Sequence, residues 1–170
     1  METEIQDVLS EMWLEVCQNG RTVSFRIASG SMKPTIEIGD VVKVKKVEPS
    51  EIRAGDIVAF KNDRHIVVHR IVRIKRANGG FSFFQMGDAS GYASGLKSID
   101  IVGKVFAINK NGREVRLDSP KQVIGNRMFG WRALLVDYIN RGQHRAVSTG
   151  LRLFFKPAWR LCRNMLLWRS

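Results

Sequence analysis

The feature that most constrains this chain is a series of short β-branched and aromatic segments cut apart by small turn signals. Val41–Val47 (VVKVKKV), Ile57–Phe60, Ile66–Ile74, Phe81–Met86, Ile101–Ile108 and Glu114–Leu117 are each four to nine residues long. That is strand length, and too short for separate helices. Between them lie Gly39-Asp40, Gly55-Asp56, Asn78-Gly79-Gly80, Gly87-Asp88 and Asn111-Gly112. The Asn-Gly pair, with strands on both sides, predicts a tight hairpin. Strands joined by tight turns, with no helix between them, cannot be wound as parallel βαβ units. They predict a mainly β unit with a coiled, antiparallel, barrel-like sheet.

The flanks read differently. In residues 1–20, Ile5, Val8, Leu9, Met12 and Val16 fall at helical spacing and Asn19-Gly20 supplies a stop. This segment has acids in its first turn and no long apolar run. It predicts a short amphipathic helix, neither a secretory leader nor a membrane span. After about Pro120 the pattern turns helical again. Phe129–Ile139 is apolar at helix length, and residues 147–168 mix Leu, Phe and Trp with Arg152, Lys156, Arg160 and Arg163, divided by Pro157. Charges of that kind each cost about 2.5 to 3.5 kcal/mol near a bilayer centre, which excludes a span.

Of the chain's net charge of +12, +8 falls in residues 127–170, where Asp137 is the only acid. A basic, Leu- and Trp-bearing tail suits an anionic membrane surface. The expected organisation of the 170 residues is a helix over 1–20, a β-rich domain over 21–126 and a basic amphipathic helical tail over 127–170. Membrane association is expected to be peripheral, on the cytoplasmic side, because no leader is evident. Cys17 and Cys162 at opposite ends and only three histidines argue against a disulfide scaffold, a metal centre or any other cofactor. Composition leaves the oligomeric state open.

One loop carries the chemistry. In Ala28-Ser29-Gly30-Ser31-Met32-Lys33-Pro34-Thr35 two serines flank a glycine ahead of a strand. A serine hydroxyl is a weak nucleophile until a base reaches it. His69, inside the apolar strand Ile66–Ile74, is the best base, since imidazole is neutral near pH 7. Asp88, in the turn after Met86-Gly87, is the carboxylate placed to orient it. His65 lies four residues earlier, about 13 Å along a strand, and reads as a surface residue. Asp40 and Asp56 read as turn residues, and Lys75 is the one lysine near enough in sequence to compete with His69 as base.

The order Ser29-Gly30-Ser31-Met32, Pro34-Thr35, Gly39-Asp40, Gly55-Asp56-Ile57-Val58, His69-Arg70-Ile71, Gly87-Asp88 resembles the signal peptidase I family. It is most similar to the branch that pairs serine with histidine, and it extends from about Ser29 to Val105. The resemblance implies a peptidase fold shared with LexA-type self-cleaving repressors, and cleavage of a leader or precursor peptide after small residues at or near a membrane. It implies that Ser31 attacks the scissile carbonyl and His69 relays the proton. Asp88 would hold the imidazole tautomer, and the Ser31 N–H with the Ser29 hydroxyl would form the oxyanion site. Two features depart from the family pattern. No second acid follows Asp88 until Asp100, which is the candidate for that second acid, and no membrane helix precedes the domain.

Two other functions fit parts of the sequence. A LexA-like self-cleaving protein would use a Ser/Lys pair and would carry a DNA-binding domain, for which 28 residues before Ser29 are too few. A non-catalytic β domain with an Arg-rich tail could bind nucleic acid, with Trp131, Trp159 and Trp168 stacking on bases. The leucines of the tail fit lipid or a packed partner better, so nucleic acid is not the expected ligand.

Overall fold

In the computed structural model, residues 22–141 are described apart from 64, 78 and 79. The expected helix over 1–20 and the tail beyond residue 141 lie outside the described residues. Eight strands form one antiparallel sheet: β1 (Val23–Arg26), β2 (Val41–Lys45), β3 (Ile57–Asn62), β4 (His65–Ala77), β5 (Gly80–Met86), β6 (Ser94–Lys97), β7 (Ile101–Lys110) and β8 (Arg113–Arg116). Their order is β1-β2-β7-β3-β4-β5-β6, with β8 added beside β7. A helix, α1 (Pro120–Arg141), follows. The mainly antiparallel β architecture expected from the turn pattern is the one observed.

The long strand β7 ties the sheet together. Its stretch Lys104–Asn109 runs beside β2, while its other edge is shared by β3 against Ile101–Lys104 and β8 against Ala107–Lys110. The β7–β8 hairpin turns through Asn111 and Gly112, with φ of 51° and 85°. Two successive positive φ values are what the Asn-Gly signal demanded.

Curling of the sheet explains why β3 is apolar without alternation. Ile57 and Ala59 enter one buried cluster with Met32, Ile36, Val44 and Val68, whereas Val58 and Phe60 enter a second with Ile71 and Phe83. A strand covered on both faces needs apolar residues at every position.

The helix closes the open side. Ala133 packs on Val72, Met86 and Ala93 in a third cluster, and Asp137 accepts a hydrogen bond from the Ala93 N–H at 2.9 Å. Contact at the Gly55 turn is backbone to backbone. A Cβ on Gly55 would stand 2.8 Å from the Asn126 carbonyl oxygen, and one on Gly130 would stand 3.1 Å from the Gly55 Cα. Gly55 also has a φ of +98°, so both sterics and conformation select glycine there.

Three expectations change. The boundary placed between residues 126 and 127 falls inside α1. Phe129, Ala133 and Asp137, on the tail side of it, are buried against the β unit, so the helix is part of that unit as far as Asp137. Two strands had no sequence signal: β1 (VSFR) is very short, and β6 (SGLK) has little β propensity. Both are edge strands formed by pairing, with β2 and β5 respectively. Among the described residues, no helix is long and apolar enough to cross a membrane.

Candidate active site

The loop between β1 and β2 is fixed at both ends. Its base is closed by the Ile27 N–H bonding the Asp40 carbonyl and the Gly39 N–H bonding the Ile27 carbonyl, both at 2.8 Å. Asp40 holds the exit turn, accepting from the Glu37 N–H at 2.8 Å. Asp56 does the same at the next Gly-Asp turn, accepting from the Arg53 N–H at 2.8 Å. Within the loop, Met32 and Ile36 are driven into the core with 1% and 0% exposure. These apolar anchors leave Ser31 half-buried at the surface and set its orientation.

His69 comes from β4, where it faces Val58 on β3. Its ring lies against Phe60, with centroids 6.0 Å apart. Nε2 is 3.1 Å from the Ser31 Oγ, and Nδ1 is 2.5 Å from the Gln85 Oε1. An amide oxygen only accepts, so the Nδ1–H donates to Gln85. The lone pair is therefore on Nε2, facing the serine O–H, which is the arrangement a general base needs. Burial pushes the imidazole pKa below its ordinary 6.5, outweighing the Gln85 hydrogen bond and the negative charge of Asp88, which both pull it up. The ring is thus neutral and able to accept a proton at neutral pH.

Gly87 makes this approach possible. A Cβ there would fall 2.6 Å from the Ser31 carbonyl oxygen and 3.1 Å from the His69 Nε2. The Ser31 carbonyl also accepts the Ala89 N–H at 2.9 Å, so the turn after β5 is stitched directly to the serine loop.

Asp88 has a different partner from the one expected. It makes no hydrogen bond to His69. Its Oδ1 and Oδ2 accept from the Arg70 Nε at 2.8 Å and Nη2 at 2.7 Å, and Oδ2 also accepts from the Thr35 hydroxyl. The reason is strand parity. Ile71 pairs with Gln85, and Arg70 with Met86. Side chains alternate faces, so the odd positions His69, Ile71, Gln85 and Gly87 share one side, and Arg70, Met86 and Asp88 share the other. Gln85 is the diagonal neighbour of His69, within reach of a long side chain. Asp88 reaches His69 only through its field.

Arg70 is completely buried, and it and Asp88 have side-chain exposures of 0% and 1%. All its donors find acceptors: Asp88, the Gly55 carbonyl at 2.8 Å, the Asn126 Oδ1 at 3.0 Å and Thr35 Oγ1 at 3.4 Å. The Phe129 ring lies beneath its guanidinium, 4.9 Å away. This cluster joins the serine loop, the turn after β5, the Gly55 turn and α1. The sequence carried a clue to it, because a charged residue inside the run Ile66–Ile74 must be paired if buried. Gln85 had no such clue, because its role depends on the β4–β5 register.

The remaining expected residues sit as follows. Ser29 is exposed, with its Oγ 3.5 Å from that of Ser31. Asp100 closes a short 3₁₀ turn, Ser98–Asp100, ahead of β7, and forms no hydrogen bond to His69. His65 is exposed at the β3–β4 turn, opposite Asn62. Lys75 lies far along β4 with its ammonium 5.5 Å from the Phe84 ring. Six residues of strand, about 20 Å, separate it from His69.

Residues 2–106 match the family model described as Peptidase S24-like. Among curated proteins, the chain is similar to the signal peptidase complex catalytic subunit SEC11C of human, mouse and dog. It is 38% identical to each over 65 residues, which cover 36% of this chain and 34% of the relative. The matched stretch therefore spans about a third of the length of those relatives.

Proposed function

The chain belongs to the peptidase S24-like family, and on that premise we propose that it is a serine endopeptidase of signal-peptidase type, cleaving a leader or precursor peptide after small residues at or near a membrane. The observation that carries this reading is the 3.1 Å approach of Ser31 Oγ to a His69 Nε2 whose other nitrogen is engaged. Ser31 attacks the scissile carbonyl carbon while its proton passes to Nε2. The tetrahedral intermediate collapses, and the departing amine takes that proton. A water then repeats the sequence on the acyl-enzyme.

Gln85 holds the tautomer throughout, the part expected of Asp88. The Ser31 N–H and the Ser29 hydroxyl stabilise the oxyanion, a contribution of about 2.7 to 4 kcal/mol for one preorganised donor. Asp88 and Arg70 brace the two loops that carry the pair. The similarity to signal peptidase catalytic subunits supports a peptide or preprotein as substrate, and His69 in the base position favours this branch over a Ser/Lys self-cleaving protein. The basic residues 147–168 bind anionic lipid headgroups, each charge contributing about 1 kcal/mol near the surface.

The test is Ser31→Ala in the full chain, assayed on synthetic leader peptides with small residues before the cleaved bond. Cleavage should vanish while the melting temperature is unchanged, because the hydroxyl is half-exposed. Equal turnover by the two proteins would overturn the reading. For the tail, truncation after Arg141 should abolish flotation with anionic vesicles and leave cleavage of a soluble peptide intact; the cut is placed there because α1 packs on the sheet.

A further inference from the structure

The face of β4 and β5 turned away from His69 carries a basic platform as well as the Arg70 brace. Beyond the register shift after Ile71, Arg73 lies opposite Phe84, and Lys75 lies opposite Ser82, which in turn lies opposite Lys97 on β6. Directly opposed residues share a face, and so do residues two apart on one strand. Phe84 and Met86 are two apart on β5, so Arg73, Lys75 and Lys97 stand on the face of Met86, opposite to Gln85 and His69. The Arg73 guanidinium and the Lys75 ammonium are 3.9 Å and 5.5 Å from the centre of the Phe84 ring. All three cations are exposed, and none is ion-paired with another described residue. Residues 65–87 hold no Asp or Glu that could neutralise them.

The helix α1 packs on this same face, through Ala133 on Val72 and Met86. Its outward side is apolar. Ile124, Met128, Trp131 and Leu135 are 60%, 47%, 77% and 37% exposed. Their spacing of four, three and four residues makes one stripe about 16 Å long, on the side of the helix opposite Ala133. Arg127 and Arg132 fall on its two flanks, and the one acid of α1, Asp137, is turned inward onto the Ala93 N–H. Isolated exposed apolar residues are ordinary, but four in register on a helix that already packs by its other side mark a contact surface.

The two features restrict the partner together. A second copy of α1 laid along the stripe would set arginine against arginine on both flanks. Nucleic acid would satisfy the cations and leave the stripe in water. A surface that is anionic at its boundary and apolar beneath it satisfies both. We propose that this face lies on an anionic membrane. Trp131 and its neighbours enter the headgroup boundary, as tryptophan does at membrane interfaces. The long side chains of Arg73, Lys75 and Lys97 extend toward the same plane, within about a Debye length (about 8 Å at physiological salt) of the lipid phosphates. Attachment itself rests on the reading that residues 147–168 bind lipid headgroups. The stripe is too small to hold the chain alone, and it decides which way the attached chain faces. Because His69 and Gln85 occupy the opposite face of the sheet, the pair is turned to the aqueous side and takes peptide from there.

Depth measurements on the full-length chain test this. On a background of Cys17→Ser and Cys162→Ser, a polarity-sensitive fluorophore is attached at Met128→Cys and, in a second protein, at Trp131→Cys. Ser24→Cys, exposed on the far edge strand β1, is the control. Vesicles of phosphatidylcholine and phosphatidylglycerol are added, with and without a quencher at headgroup depth. The probes at 128 and 131 should shift to the blue and be quenched, and the probe at 24 should do neither. If one labelled position impairs folding, judged by its melting curve, the other carries the test. Arg73→Gln combined with Lys75→Gln and Lys97→Gln should weaken partition at least about tenfold and leave cleavage of a soluble peptide unchanged. A chain that floats with vesicles while the probes at 128 and 131 stay in water would overturn the proposal and leave lipid binding by residues 147–168 standing. Absence of flotation would overturn both. Probes at 128 and 131 shielded before vesicles are added would overturn it by making the occupant protein. An equal blue shift on adding RNA in place of vesicles would overturn it by making the ligand nucleic acid. Unchanged partition of the triple variant would overturn the part given to the sheet.

Discussion

His69 and Arg70 are consecutive on β4, yet they sit in opposite regimes. On one side, the imidazole is only partly buried and touches neutral groups: a serine hydroxyl, an amide oxygen and an aromatic ring. On the other, the guanidinium is fully buried, paired with a carboxylate, and saturated with hydrogen bonds. In the proposed mechanism the difference separates chemistry from construction. A base must be free to gain a proton, so its neighbours stabilise one tautomer without a direct ion pair. A brace must not change state, so it is locked by a buried charge pair that would be costly to break.

The sharpest way to break the comparison is to remove each residue in turn. His69→Ala should reduce kcat by about four to six orders of magnitude, with a stability loss of no more than about 1 to 2 kcal/mol. Arg70→Leu should do the reverse. Asp88 would be left buried without its partner, destabilising the fold by about 3 to 5 kcal/mol, and denaturant unfolding should read this directly. If Arg70→Leu retained full stability, the brace would not be one.

Gln85→Leu tests the division more finely. It deletes the acceptor for the Nδ1–H while keeping the side chain's bulk. The loss of one hydrogen bond to a partly buried group, about 1 to 3 kcal/mol, should lower kcat by roughly tenfold to a hundredfold with little change in KM. A stability change with no change in kcat would mean that Gln85 merely packs.

The smallest expected effect is a displacement of the pH profile. His69 must be neutral to act, and burial lowers its pKa, so activity should rise with pH and reach half its maximum below 6.5. Gln85→Leu removes an interaction that raises that pKa, so its profile should move to lower pH; Gln85→Glu should move it to higher pH. Stability follows the same sign. Between the lowered folded pKa and the unfolded value the unfolded chain binds more protons, so the folded state loses stability as pH falls through that window. A profile centred above 7 in the unmodified protein would point to another base.

Much of the fold was legible because turn chemistry is local. Asn111-Gly112 and the Gly-Asp turns punctuate the chain in a way that needs no tertiary information. Ser31 and His69 were legible as well, since a serine between small residues and a histidine in an apolar strand stand out against their surroundings. Edge strands β1 and β6 were not legible, because a neighbouring strand's hydrogen bonds create them. Nor was the role of α1 as part of the β unit. Its basic residues suggested a separate tail, while the residues that bind it to the sheet are as small as Gly130 and Ala133.

Residue types, turn positions and the order of the boxes are properties of the sequence alone. They determined an antiparallel β unit and singled out the two residues that the fold brings to 3.1 Å of each other, Ser31 and His69. Which acceptor stands behind His69 was decided only in three dimensions. Strand alternation holds along β4 from His69 to Ile71, ahead of the register shift between Ile71 and Arg73, but which residue of β5 lies beside which residue of β4 depends on a register set by packing on both faces of the sheet. That register put Gln85 on the side of His69 and Asp88 on the side of Arg70, and so made a neutral amide the partner of the base and the aspartate part of the frame.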